Sequence, residues 1–434
     1  MTTTLTEFES CEFAAGKSCK VALLGFGTVG SCVARLLGAR SAEYPLRLTH
    51  VCNRDVARKR VDWTPPQVIW TEDINQVLSS DADVIVELLG GLQPAYEWVR
   101  CALQSGKSVV TANKQLIAHF GTELSDLARA KQQFLGFGAC VAGGVPVLSG
   151  LQDGLAGDRL IQICGILNGT CNYILTRIEQ TGTSFAEALA EAQGAGFAER
   201  DPTDDIEGLD AGAKLAILVR VGLNGAVQPQ QVIRRSIRHV TAVDFEYAGE
   251  LGCTIRQISS AKRDQAKIYA EVGPALVEKD SPLARISGSQ NLVMSTGEFG
   301  GETVFSGHGA GGNPTAVAVV SDLLQAARHQ SNSLERPRGP ALNSCEATAD
   351  PQLPQYVRFV VRDSPGILAS LAGVFSRHQV NVDAVLQRPG YSKSKLPFVM
   401  TLESCQPSRV QAALAEIAEF DFLLEAPLSL PIFK

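Results

Sequence analysis

The chain has 434 residues, of which 45% are hydrophobic and 19% charged, and its formal net charge is −6. This composition predicts roughly two to four folded domains, and it excludes the strongly basic surface that nucleic-acid binding needs. The eleven cysteines form no CxxC pair, which favours free thiols and a cytoplasmic location. The sequence contains neither a signal peptide nor an apolar run long enough to span a membrane, and residues 1–18 are expected to form a flexible leader.

A dinucleotide-binding pattern opens the folded part of the chain. Residues 20–37 read KVALLGFGTVGSCVARLL, an apolar strand that leads through three spaced glycines into a helical pattern. Glycines permit a tight turn and a close backbone approach, and the start of the helix offers N–H groups to a pyrophosphate. The pattern therefore predicts a site for NAD or NADP. The residues assigned to this site are Gly25, Gly27, Thr28, Val29 and Gly30.

The second predicted strand, residues 47–52, ends at a basic turn. Asn53 and Arg54 follow the strand directly, and Lys59 lies nearby. NAD-specific proteins place an acid here for the ribose 2′-hydroxyl, whereas basic side chains would neutralise a 2′-phosphate. We therefore expect NADPH to be preferred over NADH. An exposed basic turn without a ligand is the alternative, and Asp55 puts an acid in the same turn.

Two later strand ends carry further candidates. One strand ends just before Gly90, and residues 108–111 form another that ends at Thr111. The carboxyl ends of parallel strands border the ligand crevice of such a sheet, so Gly90 and Thr111 are assigned to the cofactor. Lys114 follows the second strand and would face the same crevice, as both a cofactor contact and a catalytic candidate. A surface lysine that caps the next segment fits the pattern equally well.

The order of the elements predicts the fold class. Strands and helices alternate as far as a predicted strand at 133–139, which specifies an α/β fold with a doubly wound parallel sheet. An α+β pattern follows, with one strand expected over 234–241, and Gly311 in a later glycine-rich segment is assigned to the cofactor. The predicted domains are a Rossmann-type unit over 19–146 that is rejoined by 307–330, an α+β substrate and dimerisation unit over 147–306, a linker over 331–354 and a ferredoxin-like unit over 355–434.

One predicted helix carries a pair of opposite charges. Residues 204–218 show apolar side chains at helical spacing. Asp210 and Lys214 lie four residues apart on that helix, so they share a face and can touch. Small neighbouring residues would let a ligand approach closely. A solvated surface ion pair is the alternative, and the spacing alone leaves both interpretations open.

Seven motifs resemble those of homoserine dehydrogenases in order and spacing. They are GFGTVG, VELLGG, TANK, VAGGVPVL, GILNGTCNYIL, GFAERDPTDDIEGLDAGAKLAIL and GHGAGGNPTA. The C-terminal VRDSPGILASLAGVFSRHQVNVDAVLQ resembles an ACT domain, a small ligand-binding module. The resemblance implies NAD(P)H-dependent reduction of L-aspartate 4-semialdehyde to L-homoserine, on the shared route to threonine, methionine and isoleucine. It also implies a homodimer or homotetramer.

The resemblance assigns roles to residues of this sequence. Lys214 matches the proton donor to the developing alkoxide, Asp210 would orient it, and Lys114 matches a second lysine near the reacting carbonyl. The residues implied for the substrate are Gly169 and Thr170 in the NGT turn and Glu199, which would bind the ammonium group.

A monovalent cation site, for Na⁺ or K⁺, is a further implication of the resemblance. The backbone carbonyls that would bind the cation belong to Val141, Gly143 and Val145. The glutamate that the family often adds is replaced here by Gly138. Because backbone oxygens do not depend on side-chain identity, we expect the site to survive with one anionic ligand fewer.

The ACT-like segment carries a candidate effector site. Its turn runs from Asp363 to Gly366, and the helix that starts at Ile367 offers N–H groups to an amino-acid carboxylate. Asn381 on the next strand would complete the site across a dimer interface. The resemblance implies feedback inhibition by L-threonine. A dimerisation module without a ligand is the alternative.

Two other classes of function stay open at this stage. A different NAD(P)-dependent oxidoreductase of amino acids or semialdehydes is the first. Its phosphorylating form needs a nucleophilic cysteine, for which Cys140 is the candidate. A non-catalytic amino-acid sensor is the second, but it would have no use for the ionisable set of Lys114, Glu199, Asp210 and Lys214.

Overall fold

A computed structural model describes residues 18–265, 267–331, 346–348 and 351–433. Most of the expected leader and linker, residues 1–17, 332–345 and 349–350, therefore lie outside the described residues. The chain forms two compact units. The described parts of the first unit are 18–113, 122–137 and 319–331, and those of the second are 114–121, 138–318, 346–348 and 351–433.

The first unit contains a six-stranded parallel sheet in the order β3-β2-β1-β4-β5-β6. Its strands are β1 (Cys19–Leu24), β2 (Leu46–Cys52), β3 (Ile69–Thr71), β4 (Val84–Glu87), β5 (Ser108–Thr111) and β6 (Leu135–Gly136). Every residue of β4 and β5 is buried, as expected for strands covered on both faces. The strand order reverses between β1 and β4, and ligands of such sheets bind at that point. The predicted doubly wound α/β sheet is confirmed.

The helices of the first unit are α1 (Thr28–Ala39), α2 (Val56–Lys59), α3 (Ile74–Leu78) and α4 (Ala95–Gln104). The next helix, α5 (Lys114–Ala130), is divided between the two units after Gly121. The strand predicted over 133–139 is wrong in extent, since only Leu135–Gly136 pairs and Gly138–Cys140 forms a 3₁₀ turn. The glycines at 136 and 138 weaken the strand, because they offer no side chain to pack.

The second unit is built on an eleven-stranded sheet with the main path β12-β11-β7-β9-β10-β17-β14-β16-β15. Two further strands, β8 and β13, pair with β10. The strands are β7 (Leu160–Ile166), β8 (Ile233–Arg234), β9 (Cys253–Asp264), β10 (Lys267–Glu278), β11 (Gln290–Gly297), β12 (Gly301–His308), β13 (Glu346–Thr348), β14 (Leu353–Val361), β15 (Val382–Leu386), β16 (Leu396–Cys405) and β17 (Leu428–Phe433).

The remaining described α-helices follow α5 in the chain. They are α6 (Val147–Ser149), α7 (Gly169–Thr181), α8 (Phe185–Gly194), α9 (Thr203–Ile206), α10 (Leu209–Gly222), α11 (Ala242–Glu250), α12 (Pro282–Arg285), α13 (Gly312–Ser331), α14 (Ile367–Arg377) and α15 (Pro407–Ile417). Like α5, α13 is divided between the two units.

The C-terminal module has the predicted strand-helix-strand-strand-helix-strand order, from β14 to β17. Its last strand pairs with β10 at Leu276–Ile432 and Val277–Phe433 and with β14 on its other side. The module therefore continues the sheet of the preceding segment, and both belong to one compact unit.

Polar strands were the hardest elements to predict. The strand expected over 234–241 is limited to Ile233–Arg234, and the segment then leads into α11. The long strand β9 was not predicted, because it reads CTIRQISSAKRD and lacks an apolar alternation. Arg256 and Gln257 on this strand are nevertheless buried, and Arg256 is paired with Glu179 at 2.8 Å.

Two further observations concern the thiols and the helices. All nine cysteines of the described residues are unbonded, seven of them buried and two, Cys32 and Cys101, half-buried. Over the same residues, no helix combines the length and the apolar character that crossing a membrane would require.

Candidate active site

The glycine-rich turn between β1 and α1 has the shape that a dinucleotide needs. Gly25 has a φ of +99°, and a Cβ on it would lie 2.9 Å from the carbonyl oxygen of Leu88. A Cβ on Gly30 would lie 2.3 Å from the carbonyl oxygen of Gly25, whereas a Cβ on Gly27 would meet no atom within 4 Å. Two glycines are thus fixed by close packing, and the third leaves room for a phosphate at the uncapped start of α1. The first helical turn contains Thr28, Val29 and Gly30.

The turn after β2 leaves its basic side chains exposed. Asn53 joins it to the glycine-rich turn, because its Oδ1 accepts a hydrogen bond from the N–H of Phe26 at 3.2 Å. Asp55 caps α2 by accepting from a backbone N–H at 3.1 Å, so its carboxylate is engaged locally. Arg54 and Lys59 are solvent-exposed. Arg54 and Lys59 are therefore available to an anionic ligand, whereas the Asp55 carboxylate is occupied by its contact with α2.

Gly90 and Thr111 lie next to adjoining strand ends and share a buried partner. Glu87, the last residue of β4, is fully buried and pairs in register with Thr111. Its carboxylate accepts from the Thr111 hydroxyl at 2.6 Å and from the N–H of Gly90 at 3.4 Å. Glu87 lies within the motif VELLGG, and no role for it was predicted from the sequence.

The second unit brings three of the predicted catalytic residues into direct contact. The Asp210 carboxylate lies between two ammonium groups, with Lys114 Nζ 2.5 Å from Oδ1 and Lys214 Nζ 2.7 Å from Oδ2. Asn168 Nδ2 donates to Oδ2 at 2.9 Å. We call these four residues the Asp210 cluster. The side chain of Asp210 is 8% exposed and that of Lys214 14%, whereas that of Lys114 is 39% exposed. A solvated surface pair is thereby excluded.

The electrostatics of the cluster favour the charged forms of Asp210 and Lys114. Burial acts against the charge on Asp210, but Lys214 and Lys114 outweigh burial and lower the pKa of that carboxyl overall. Burial also acts against the charge on Lys114, and Asp210 again outweighs it, so the pKa of Lys114 is raised. Two ammonium groups therefore lie against Asp210, while a second acid, Asp205, contacts Asn168. A lysine ammonium in such a site stabilises an oxygen on which negative charge develops.

A break in the predicted helix creates this arrangement. Sequence analysis expected one helix over 204–218, but α9 ends at Ile206 and α10 begins at Leu209. Between them Gly208 has a φ of +75°, a conformation that does not continue a right-handed helix. Asp205 and Asp210 would point about 140° apart on an unbroken helix. The break lets both of them accept hydrogen bonds from one side chain.

That side chain belongs to Asn168, for which no role in the site was predicted from the sequence. Its Nδ2 donates to Asp205 Oδ1 at 2.6 Å as well as to Asp210, and its Oδ1 caps α7 by accepting from the N–H of Cys171 at 2.9 Å. Burial raises the pKa of Asp205. An asparagine directly before a helix is a common cap, so the sequence contained a signal for its local role but not for its contact with Asp210.

The Lys214 ammonium is held by two acceptors. Besides Asp210, it donates to the carbonyl oxygen of Leu167 at 2.8 Å, and Asn291 Nδ2 donates to that same oxygen at 3.0 Å. An ammonium group has three N–H donors. Two are used by contacts among the described residues, so one remains for a substrate oxygen.

The predicted substrate residues lie around the start of α7 and between α8 and α9. Thr170 is buried and donates to the carbonyl oxygen of Phe197 at 2.6 Å. Gly169 packs closely, since a Cβ there would lie 3.0 Å from the carbonyl oxygen of Ser289. Glu199 is exposed, and its backbone carbonyl accepts from Gln193 Nε2 at 3.0 Å. Its carboxylate takes no part in the hydrogen bonds of the Asp210 cluster given above.

The turn that was assigned to a cation has an unusual backbone. Ala142 and Gly143 have φ values of +56° and +46°. The N–H of Val145 donates back to the carbonyl of Ala142 at 2.8 Å, and the carbonyl of Val145 accepts from Val147 at 2.7 Å. Among the described residues, no group of three or more His, Cys, Asp or Glu side chains could hold a metal. A cation at Val141, Gly143 and Val145 would thus depend on backbone oxygens.

The glycine-rich segment that contains Gly311 packs against this turn and against Asn291, which shares the Leu167 carbonyl with Lys214. A Cβ on Gly143 would lie 2.6 Å from the carbonyl oxygen of Gly309, and a Cβ on Gly309 would overlap the side chain of Asn291. Gly311 itself has a φ of +113° and directly precedes α13. Side chains at these positions would displace the segment.

The C-terminal module has a cavity of about 210 Å³ at its predicted effector turn. Its lining includes Asp363, Gly366, Ile367, Gln387, Leu396 and Phe398. Asn381 does not line this cavity, and its Nδ2 donates to Glu403 at 3.1 Å. Three of the four predicted effector residues therefore meet at one cavity within the chain.

Comparison with known proteins places the chain in a family. The model described as homoserine dehydrogenase, NAD binding domain, matches residues 25–136, that described as homoserine dehydrogenase matches 146–324, and that of the ACT domain matches 355–422. A homoserine dehydrogenase of Synechocystis is 36% identical over 424 residues, which cover 94% of this chain and 98% of the relative.

Solved structures agree with these matches. The crystal structure of a homoserine dehydrogenase from Thiobacillus denitrificans has a TM-score of 0.89 at 31% identity and covers 96% of this chain and 98% of its own. A hyperthermophilic archaeal homoserine dehydrogenase in complex with NADPH has a TM-score of 0.62 at 26% identity, over 75% of this chain and 99% of its own. The resemblance drawn from the motifs is confirmed, and the chain belongs to the homoserine dehydrogenase family of NAD(P)-dependent oxidoreductases and carries a C-terminal ACT domain.

Proposed function

We propose that this enzyme reduces L-aspartate 4-semialdehyde to L-homoserine with NADPH, on the route to threonine, methionine and isoleucine, under feedback control by L-threonine. The observation that carries the proposal is the Asp210 carboxylate, buried between the ammonium groups of Lys114 and Lys214. Reduction of an aldehyde places negative charge on its oxygen, and a lysine ammonium with one N–H donor that the described residues leave unused is suited to that oxygen.

The glycine-rich turn would hold the pyrophosphate of the cofactor, and Gly90 and Thr111 would border its nicotinamide end. When bound, NADPH supplies a hydride to the aldehyde carbon. Lys214 then donates a proton to the alkoxide oxygen, while Asp210 and the Leu167 carbonyl hold its ammonium in place. Lys114, on the other oxygen of Asp210, adds a second positive charge and shares the proton relay.

We assign the remaining substrate contacts to Glu199, which would bind the ammonium group, and to the turn at Gly169 and Thr170. A phosphorylating NAD(P)-dependent oxidoreductase would need an accessible nucleophilic cysteine, but the candidate, Cys140, is buried. A sensor without catalysis has no use for a buried carboxylate held between two lysines. We further propose that the turn from Val141 to Val145 binds Na⁺ or K⁺. We also propose that the enzyme is a homodimer or homotetramer and that it is located in the cytoplasm.

The direct test follows NADPH oxidation by the purified full-length enzyme with L-aspartate 4-semialdehyde, together with the reverse reaction of L-homoserine. We expect turnover in both directions. An enzyme that binds NADPH but converts neither compound would contradict the substrate assignment and favour a different NAD(P)-dependent oxidoreductase.

Cofactor preference can be tested at the basic turn after β2. Arg54→Ala is expected to raise the KM for NADPH roughly tenfold or more, since hydrogen bonds to charged groups contribute about 1.5–3 kcal/mol. The KM for NADH should stay unchanged. Arg47→Ala is the matched control, because Arg47 is an exposed arginine near the other end of the same strand. An equal loss with both cofactors would contradict a role in reading the 2′-phosphate.

Hydrogen bonds from the wall of the ACT cavity support control by an amino acid. The hydroxyl of Tyr247 on α11 donates to the carbonyl of Pro397, which lies between two lining residues, and accepts from the N–H of Arg388 at 3.1 Å. Upstream of α11, the N–H of Ile237 donates to the carbonyl of Ile206 at the end of α9. Helix α9 also carries Asp205. A contiguous packed path of this kind can couple two sites.

Threonine sensitivity provides the test of the cavity. Gln387→Ala is expected to raise the threonine concentration for half-inhibition roughly tenfold or more, through loss of a polar contact to a charged ligand. Uninhibited kcat should not change. Asn381→Ala is the comparison, since its effect reports whether a second copy supplies this residue. Unchanged inhibition in Gln387→Ala would remove the cavity from the proposal and favour a module that serves assembly alone.

A further inference from the structure

Glu87 is a buried carboxylate that the proposed chemistry does not use. Its side chain has no exposed surface, and within the described part of the chain the donors that contact it are all neutral groups. Oε2 accepts from the Thr111 hydroxyl at 2.6 Å. Oε1 accepts from the N–H of Leu89 at 2.8 Å, from that of Gly90 at 3.4 Å and from Asn113 Nδ2 at 3.4 Å. A buried polar group is costly unless its hydrogen bonds are made, and here both oxygens of Glu87 have partners.

These hydrogen bonds connect two loops at the same edge of the sheet. Asn113, after β5, also donates to the carbonyl of Gly91 at 2.6 Å, and its own N–H donates to the Thr111 hydroxyl at 2.9 Å. The loop after β4 contains two successive glycines with positive φ, Gly90 at +76° and Gly91 at +73°. Glycines lose more conformational freedom on ordering than other residues. The loop therefore depends on such contacts to keep one shape.

The same loop packs against the glycine-rich turn. The carbonyl of Leu88 lies where a Cβ on Gly25 would be only 2.9 Å away. Strands β1 and β4 are neighbours at the point where the strand order reverses, which is where a dinucleotide binds. Glu87 thus supports the wall of the predicted cofactor crevice on the side of β4 and β5.

We propose that Glu87 is a positioning residue, which holds the loops after β4 and β5 in the shape that receives the nicotinamide end of the cofactor. The inference rests on the proposed function only in taking NADPH as that cofactor. The role requires an acceptor oxygen on each side of the side chain, because the loop N–H groups and Asn113 Nδ2 donate to Oε1 and the Thr111 hydroxyl donates to Oε2. It lies entirely within the first unit and acts through Thr111, Asn113 and the glycine loop, without taking part in proton transfer.

Glu87→Gln tests this role with little change in volume. The amide keeps one acceptor oxygen and replaces the other by an NH₂ donor. An NH₂ group on the loop side would meet N–H donors, and one on the Thr111 side would reverse the hydrogen bond with that hydroxyl. We expect the Kd for NADPH to rise roughly 10- to 100-fold, as measured by the fluorescence of NADPH titrated with the full-length protein. This readout needs no turnover. A failure of the semialdehyde assay in the wild type would leave the test of Glu87 intact.

Lys107→Met is the matched control for a loss of stability. Lys107 precedes the opposite end of β5, is also buried, and donates to the carbonyls of Ser80 at 2.6 Å and Ala82 at 2.9 Å. The Lys107→Met variant should lower Tm, as we also expect of Glu87→Gln, but it should leave the Kd for NADPH unchanged. If both variants lower Tm and neither changes the Kd by more than about twofold, Glu87 is a structural residue and the proposal is overturned.

A second variant keeps the inference testable if Glu87→Gln does not fold. Thr111→Val removes the shortest hydrogen bond to the carboxylate and should also raise the Kd for NADPH. Where both single variants fold, the loss in the double variant should be smaller than the sum of the single losses, because both substitutions break the same contact. Full additivity, or an unchanged Kd in Thr111→Val, would contradict positioning through Glu87.

Discussion

Replacing Lys214 by methionine is expected to lower kcat/KM for L-aspartate 4-semialdehyde by about 10²- to 10⁴-fold, the usual range for loss of a general acid. The side chain of Lys214 is 14% exposed, and Asp210 and the Leu167 carbonyl fix its ammonium. Methionine keeps much of the volume but offers no proton. The Kd for NADPH should not change, since the proposed role lies in the chemical step.

Lys114→Met is the informative comparison. Lys114 contacts the other oxygen of Asp210, but its side chain is 39% exposed, so we expect a smaller loss. A larger loss in Lys114→Met than in Lys214→Met would indicate that Lys114 is the proton donor and Lys214 the supporting lysine. Asp210→Asn should add little to Lys214→Met, because residues that act as a unit are not additive. Near-normal turnover in Lys214→Met would contradict proton donation by this residue.

The parts of the fold that were predictable follow from local sequence. The glycine-rich turn lies between a strand and a helix, and both neighbours leave a periodic pattern that sequence reasoning can read. The pairing of Asp210 with Lys214 follows in the same way from a spacing of four residues on one helix. In each case the residues that decide the geometry are close in the chain.

The parts that were not predictable depend on contacts between distant segments. Lys114 and Asn168 reach Asp210 from other elements, and no periodicity relates their positions. The resemblance supplied a role for Lys114, but not its ion pair with Asp210. The helix break at Gly208 was missed because a glycine inside a helical pattern is compatible with an unbroken helix. Glu87 was missed because a strand-end acid in an apolar run gives no sign of its hydrogen-bond partners.

The second large effect is expected at a buried ion pair between α11 and the ACT module. Asp244 is fully buried and accepts from Arg358 Nη1, from the Tyr356 hydroxyl at 2.9 Å and from the N–H of Thr241 at 2.8 Å. Arg358→Met would leave this carboxylate without its cation. Breaking a buried pair in this way costs about 3–5 kcal/mol, so we expect a loss of that size in the free energy of unfolding at neutral pH.

The loss should depend on pH, and its direction follows from Asp244. Burial raises the pKa of Asp244, and Arg358 opposes that rise. Without Arg358 the pKa of the folded state moves further above its unfolded value. A carboxyl with a raised folded pKa contributes stability below its unfolded pKa and loses that stability as the pH rises through the folded pKa. Urea unfolding should therefore show a smaller deficit for Arg358→Met at pH 5 than at pH 7.5.

Arg256→Met is the control that separates this mechanism from the loss of any buried arginine. Arg256 is also buried, but the side chain of its partner Glu179 is 29% exposed and can reach water when the cation is removed. Its deficit should thus vary little between pH 5 and pH 7.5. Equal pH dependence in both variants would contradict the assignment to Asp244.

Because Arg358 belongs to the ACT module and Asp244 to α11, the Arg358→Met variant should also weaken inhibition by threonine. Retention of full inhibition would mean that the coupling runs through Tyr247 and Pro397 without this ion pair.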